Sequence, residues 1–200
     1  MYTWSDFVTE CQECRQCDLS KTRKNVVIYR GAISAPLMFV GEGPGANEDM
    51  QGKPFVGQAG RLLDLLIQSY GLGDEDYHIC NIVKCRPPEN RVPTREEAKC
   101  CMPLLGKQIR FSKPRVLVLL GATAYKYFLD PSDTITRARG NWIEKNGFWI
   151  MPTYHPAFIL RNNRERVKLW SDIGLVRAKL EELDLVKPLE DIPLMPEGRG

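Results

Sequence analysis

Several short segments of this 200-residue chain gather side chains able to do chemistry. Tyr154-His155-Pro156-Ala157-Phe158-Ile159-Leu160-Arg161 holds one of only two histidines and then an apolar triplet beside a cation. An exposed apolar residue next to a basic one can wedge between bases while the cation holds phosphate, although the same run can simply open a helix. Asn81 interrupts the apolar run Tyr77 to Val83. A buried amide must find partners, either in a nearby loop or on a ligand edge offering both a donor and an acceptor, as a pyrimidine does. In Gly52-Lys53-Pro54-Phe55-Val56-Gly57 a ring sits in a glycine-bounded loop, where it can stack on a base or fold back onto the core. Gly41-Glu42-Gly43-Pro44-Gly45 is neither a dinucleotide fingerprint nor a phosphate loop. The spacing is not G-x-G-x-x-G, no Lys-Ser/Thr pair follows, and Pro44 lacks an N–H. That leaves Glu42 as an exposed carboxylate on a tight turn.

The cysteines form a second constellation. Cys11, Cys14 and Cys17 make a C-x2-C-x2-C run, and Cys85 and the pair Cys100-Cys101 lie far downstream. Two close thiolates and two distant ones can enclose a tetrahedral metal or a cubane cluster, and spacing alone leaves zinc and iron-sulfur both open. The downstream half is not C-x2-C, which counts against a zinc ribbon. Seven cysteines is an odd number in a chain without a basic-then-apolar leader, so a disulfide framework explains them poorly.

These segments need elements to position them. Trp4, Phe7, Val8 and Cys11 share a helical face. Leu37 to Gly41 reads as a buried parallel strand, Leu62 to Ile67 as a helix, and Tyr77 to Val83 as a second strand. Thr94 and Glu97 form a capping box that opens a helix reaching Phe111, which Pro103 should bend. Arg115 to Gly121 is the most strand-like run, with a helix from Ala122 to Leu129 behind it. Asn141 to Lys145 and Phe148 to Thr153 flank Asn146-Gly147, a hairpin signal. Glu165 to Leu183 is the final helix, and residues 187 to 200 read as a flexible tail behind a single domain of residues 1 to 186. Repeated strand-then-helix order predicts an α/β fold with a parallel sheet between helices, its ligand beyond the carboxyl ends of the strands.

Composition narrows this less. The chain is 43% apolar and 26% charged, ordinary for one globular domain. A net charge of +3 permits a nucleic-acid partner without arguing for one. No apolar stretch approaches the ~20 residues of a membrane span. The expectation is a cytoplasmic protein with no membrane partner.

Taken in order, CRQCDLSKTR, GEGPGANEDMQGKPFVGQAGRLLD, NIVKCRPPENRVPTREEAKCCMP and YHPAFILR resemble the family-four, thermophile-type uracil-DNA glycosylases over about Cys14 to Leu183. The resemblance implies a three-layer α/β/α sandwich around a four-stranded parallel sheet, uracil-containing DNA as partner, and a structural 4Fe-4S cluster. The family's cluster ligands fall on Cys14, Cys17, Cys85 and Cys101, leaving Cys11, Cys80 and Cys100 over. It implies that uracil stacks on Phe55, is read by Asn81, and is excluded from carrying a methyl by Glu48. His155 would hydrogen-bond uracil O2 as charge develops, and Glu42 would orient water or stabilise the sugar cation. The wedge would come from Phe158, Ile159 and Leu160, with Arg161 on phosphate. Gly43 lines the substrate side where the family usually has alanine and another branch a water-positioning aspartate, a change expected to loosen the loop. The uracil-crosslinking branch has a histidine in an insertion that PPENRVP lacks, so free product release is expected. No lysine in the motifs suggests an imine with the sugar, which predicts a monofunctional enzyme. A non-catalytic iron-sulfur nucleic-acid-binding module and a glycosylase for another deaminated base are the alternatives.

Overall fold

Six strands form one sheet: β1 (Arg30–Gly31), β2 (Leu37–Gly41), β3 (Tyr77–Asn81), β4 (Val116–Leu120), β5 (Ile143–Lys145) and β6 (Phe148–Thr153). The computed structural model describes residues 2–129 and 131–189. Strand order is β1-β3-β2-β4-β6-β5. The four inner strands run parallel, and β1 and β5 pair antiparallel at the two edges. The expected four-stranded parallel sheet is therefore the centre of a mixed six-stranded one. At two residues, β1 is too short to carry any periodic signal. β5 is the outer arm of the hairpin at Asn146-Gly147, whose φ values of 53° and 79° suit a primed turn and match the strand twist.

Every residue of β2, β3 and β4 is buried, as expected of strands covered on both faces. The side chains of β2 alternate between two cores. Met38 and Val40 pack with Phe7, Leu105 and Leu117, whereas Leu37 and Phe39 pack with Leu63, Ile67, Ile173 and Val176. Helices α1 (Trp4–Glu13), α2 (Leu19–Thr22), α3 (Ala46–Gln51), α4 (Gln58–Ser69), α5 (Arg95–Ser112), α6 (Gly121–Leu129), α7 (Ile135–Ala138), α8 (Pro156–Arg161) and α9 (Arg166–Glu182) complete the layers. Thr94 and Glu97 form the capping box of α5, which continues through Pro103. The sequence pattern missed β1, α3 and the short helices, which hold too few residues for a period to show.

β3 stops at Asn81, two residues short of the expected end, although Ile82 and Val83 still donate to the carbonyls of Gly41 and Glu42 at 2.9 and 3.3 Å. Of the expected tail, Lys187 accepts from the Arg177 guanidinium through its carbonyl, and the Leu189 N–H donates to Glu181 at 3.1 Å. Residues 190–200 lie outside the described residues. Among the described residues no helix is long and apolar enough to cross a membrane.

Candidate active site

The carboxyl ends of the four parallel strands meet along one edge, and each supplies part of one site. β2 ends at Gly41 and β3 at Asn81, Gly121 follows β4, and His155 lies two residues beyond β6. A Cβ at Gly41 would stand 2.4 Å from Asn81 Oδ1 and 2.7 Å from the Phe55 ring. One at Gly121, where φ is +91°, would stand 2.9 Å from His155 Cβ. The rings of Phe55 and His155 stack with centroids 5.4 Å apart at 27°. Phe55, Asn81 and His155 thus come together over two glycines whose packing role the sequence did not disclose. Glycine in or beside a strand is the available signal for such close approach.

Asn81 is 2% exposed, yet its side-chain amide has no hydrogen-bond partner among the described residues. The internal loop partner that a buried amide normally finds is missing there. His155 caps α8, its Nδ1 accepting from the Ala157 N–H at 3.1 Å. A neutral imidazole that accepts at Nδ1 carries its proton on Nε2. Burial, and secondarily the charge of Arg161, lowers the His155 pKa to about 4, so at neutral pH Nε2 is an uncharged N–H donor.

The Phe55 loop is built under strain. Phe55 has φ +56°, a left-handed conformation that costs an aromatic residue on the order of 1–3 kcal/mol and persists only when its surroundings impose it. Glu48 imposes it from one side. Its Oε1 accepts from the N–H groups of Val56 and Gly57 at 3.0 and 2.9 Å, and its Oε2 from Gly45 at 3.2 Å. Gly60 imposes it from the other, since a Cβ there would fall 1.7 Å from the Phe55 carbonyl oxygen. Phe55 is both a core residue, 6% exposed, and a wall of the site.

Glu42 is half-buried directly beyond β2, and its carboxylate stands near Tyr127. Burial first, and Glu42 next, raise the pKa of that phenol, which donates to the Pro93 carbonyl at 2.8 Å. Gly43 sits in a tightly packed place on its loop. A Cβ there would meet Val83 Cγ2 at 2.7 Å and Pro87 and Pro93 at 3.8 Å, so neighbouring side chains already fill the place of the family's alanine methyl.

The expected wedge divides. Leu160 is 49% exposed and Arg161 is exposed, whereas Ile159 is 3% exposed in the core. Ile159 is removed from the wedge, because one turn of α8 directs it inward while its neighbour points out. Phe158 is half-buried, its ring 4.8 Å from Tyr154.

Six of the seven cysteines, Cys11, Cys14, Cys17, Cys85, Cys100 and Cys101, line one cavity with Arg23 and Lys84. Cys80 is buried in β3 away from it, and no two cysteines are bridged. Burial pushes the thiols of Cys11 and Cys101 up to about 12 and raises Cys17 and Cys85. Neighbouring thiolates add to this: Cys14 acts on Cys17, Cys85 and Cys101, Cys17 acts on Cys85, and Cys85 acts on Cys101. Arg23 donates to Cys85 Sγ at 3.0 Å and the Lys84 N–H to Cys101 Sγ at 3.3 Å. Soft sulfur donors with N–H groups and cations facing them fit a thiolate-held group. Among the described residues no three His, Cys, Asp or Glu side chains close on a single ion.

The fold is an α/β sandwich that gathers an aromatic ring, an amide and an imidazole at the carboxyl edge of its parallel strands. The model of the uracil DNA glycosylase superfamily matches residues 28–174. A type-4 uracil-DNA glycosylase of Thermotoga maritima is 42% identical over 193 residues, covering 94% of this chain and 96% of that protein. One of Archaeoglobus fulgidus is 41% identical, covering 86% and 90%. A type-5 uracil-DNA glycosylase of Pyrobaculum aerophilum is 28% identical, covering 77% and 82%. The chain belongs to the uracil-DNA glycosylase superfamily, in its type-4 branch.

Proposed function

We propose that this chain excises uracil from DNA in base excision repair, hydrolysing the N-glycosidic bond and leaving an abasic site without cutting the strand. A base in a duplex cannot reach this edge of the sheet, so the nucleotide is flipped out, at a cost of a few kcal/mol in unstacking. Leu160 fills the gap, Phe158 supports it, and Arg161 holds phosphate. The flipped ring stacks on Phe55. Its N3–H and O4 meet the two faces of the Asn81 amide. Glu48 fixes the Phe55 loop and with it the wall that leaves no room for a C5 methyl, while Gly43 belongs to the loop beyond β2 that borders the substrate.

As the C1′–N1 bond breaks, its electron pair moves onto uracil and positive charge develops on the sugar. His155 Nε2–H donates to O2 as charge arrives there, and a neutral donor fixed in advance needs no reorganisation at that moment. Glu42 stabilises the sugar cation or orients the water that adds to C1′. Cys14, Cys17, Cys85 and Cys101 hold a 4Fe-4S cluster. When bound it supplies structure rather than chemistry, since hydrolysis moves no electrons. Residues 1–186 act as one domain on uracil-containing DNA, single- or double-stranded.

One observation carries the reading: at the carboxyl edge of the sheet, the side-chain amide of buried Asn81 and the imidazole Nε2–H of His155 have no partner among the described residues, and an aromatic ring stands beside the imidazole. The test is excision from oligonucleotides containing uracil or inosine. Uracil is released and hypoxanthine is not, and Asn81→Ala loses about a hundredfold or more while keeping its melting temperature. Near wild-type excision by that variant, or its failure to fold, would reject the assignment of Asn81 as reader.

A further inference from the structure

Lys84 is among the largest fully buried side chains of the protein, 1% exposed, and no carboxylate pairs with it among the described residues. A buried ammonium without a counter-charge is among the costliest arrangements a fold can hold. Lys84 lines the cysteine cavity, and its backbone N–H donates to Cys101 Sγ at 3.3 Å. Its charge also acts on Cys11, Cys80 and Cys101. At the same time its Nζ donates to the backbone carbonyl of Asn81 at 2.8 Å. One residue therefore borders the cavity, with its backbone on a cysteine sulfur, and reaches through its side chain to the strand end that carries the unpartnered amide.

We propose that Lys84 is the buried counter-ion of the cysteine cavity and, through the Asn81 carbonyl, the positioning residue that ties that cavity to the uracil-reading end of β3. This rests on the reading that the cysteines hold metal as thiolates. Those sulfurs then provide the negative charge that the buried lysine lacks. Of the three N–H bonds on Nζ, one is spent on the Asn81 carbonyl, and no side-chain acceptor takes the other two among the described residues. A change in the negative charge of the cavity is felt by the ammonium, and through it at Asn81. The cavity thereby influences uracil recognition without taking part in the reaction.

The experiment uses the full chain purified with its metal, as wild type, Lys84→Met and Lys84→Arg. Iron and sulfide analysis of the wild type tests the cluster reading separately. Removing a cation beside an anionic centre makes adding an electron harder, so Lys84→Met shifts the reduction potential to more negative values and Lys84→Arg recovers it. On single-stranded uracil DNA, kcat/KM of Lys84→Met falls about tenfold or more, the loss expected for one buried charge-assisted hydrogen bond. A potential unchanged in Lys84→Met, or undiminished excision by it, overturns the proposal. Where Lys84→Met does not fold, wild-type protein labelled with 15N-lysine decides. One Nζ resonance must move both when the metal is stripped by chelator and when uracil binds, whichever metal the site holds. A spectrum in which no lysine responds to both overturns the proposal.

Discussion

Gly41→Ala adds one methyl at the meeting point of the site. That methyl would lie 2.4 Å from Asn81 Oδ1 and 2.7 Å from the Phe55 ring, roughly 1 Å inside ordinary contact. The β2 backbone is held by parallel pairing on both sides, so the amide and the ring must yield instead. Displacing a substrate-positioning group by about 1 Å costs on the order of a hundredfold in rate. Stability carries a smaller loss. Alanine gains ~0.5–1 kcal/mol over glycine in a strand, set against ~1–3 kcal/mol for overpacking, a net loss between about 0 and 2.5 kcal/mol. Single-turnover excision from a single-stranded uracil oligonucleotide, beside a thermal melt, reads both quantities. Gly43→Ala is the control. Its methyl presses on Val83 Cγ2, the end of a side chain, and touches neither Asn81 nor Phe55, so its loss should stay below about tenfold. A Gly41→Ala protein that excises uracil within about threefold of wild type would refute the claim that this glycine sets the distance between reader and ring.

Leu160→Ala should slow excision of paired uracil about tenfold or more and of single-stranded uracil little, since only the duplex must be unstacked; equal losses on both substrates count against the wedge. The purified protein should carry about four iron and four sulfide per chain. Cys17→Ala should lower yield and melting temperature more than the rate per folded molecule, whereas Cys11→Ala should keep its colour; the reverse pattern in the absorption spectrum means the ligands are misassigned. Burial lowers the pKa of His78 from 6.5 to about 4, its Nδ1 bonded to the Ala32 carbonyl and its Nε2 to Gln108. Between those values the unfolded chain takes up a proton that the folded one refuses, so stability falls as pH falls through that window, by ~3 kcal/mol from this residue. His155 contributes in the same direction. Urea unfolding across pH 4 to 7 measures the slope, and His78→Gln should flatten it.

The main strands, the long helices and the hairpin were legible because each is specified within a few neighbouring residues. LMFVG and VLVLL are apolar throughout since both faces of those strands are covered. Asn146-Gly147 turns because both residues accept positive φ, and Thr94 with Glu97 starts α5 because their side chains satisfy its first N–H groups. The same locality explains the omissions. Two-residue β1 and six-residue α3 and α8 are held by what they pack against rather than by a period of their own. Phe55, Asn81, His155 and the cysteines were legible as residue types, and the order of the motifs supplied their roles by resemblance.

Their arrangement was decided in three dimensions. Gly41, Gly60 and Gly121 matter for what approaches them from segments distant in sequence or bent back by a turn, which no spacing reports. The proton on His155 Nε2 follows from an N–H two residues away that reaches Nδ1 only once α8 has formed. Ile159 and Leu160 are adjacent apolar residues in the chain, and only the face that α8 turns to the core separates the buried one from the exposed one. Nothing local in the sequence marks Lys84 as buried. It is covered because the segments carrying Cys11 to Arg23 and Cys100 to Leu104 close over residues 84 and 85 to form the cavity. Sequence determines which groups the chain carries and which backbone shapes they prefer. Distance, solvent exposure and protonation depend on neighbours that only the folded chain supplies.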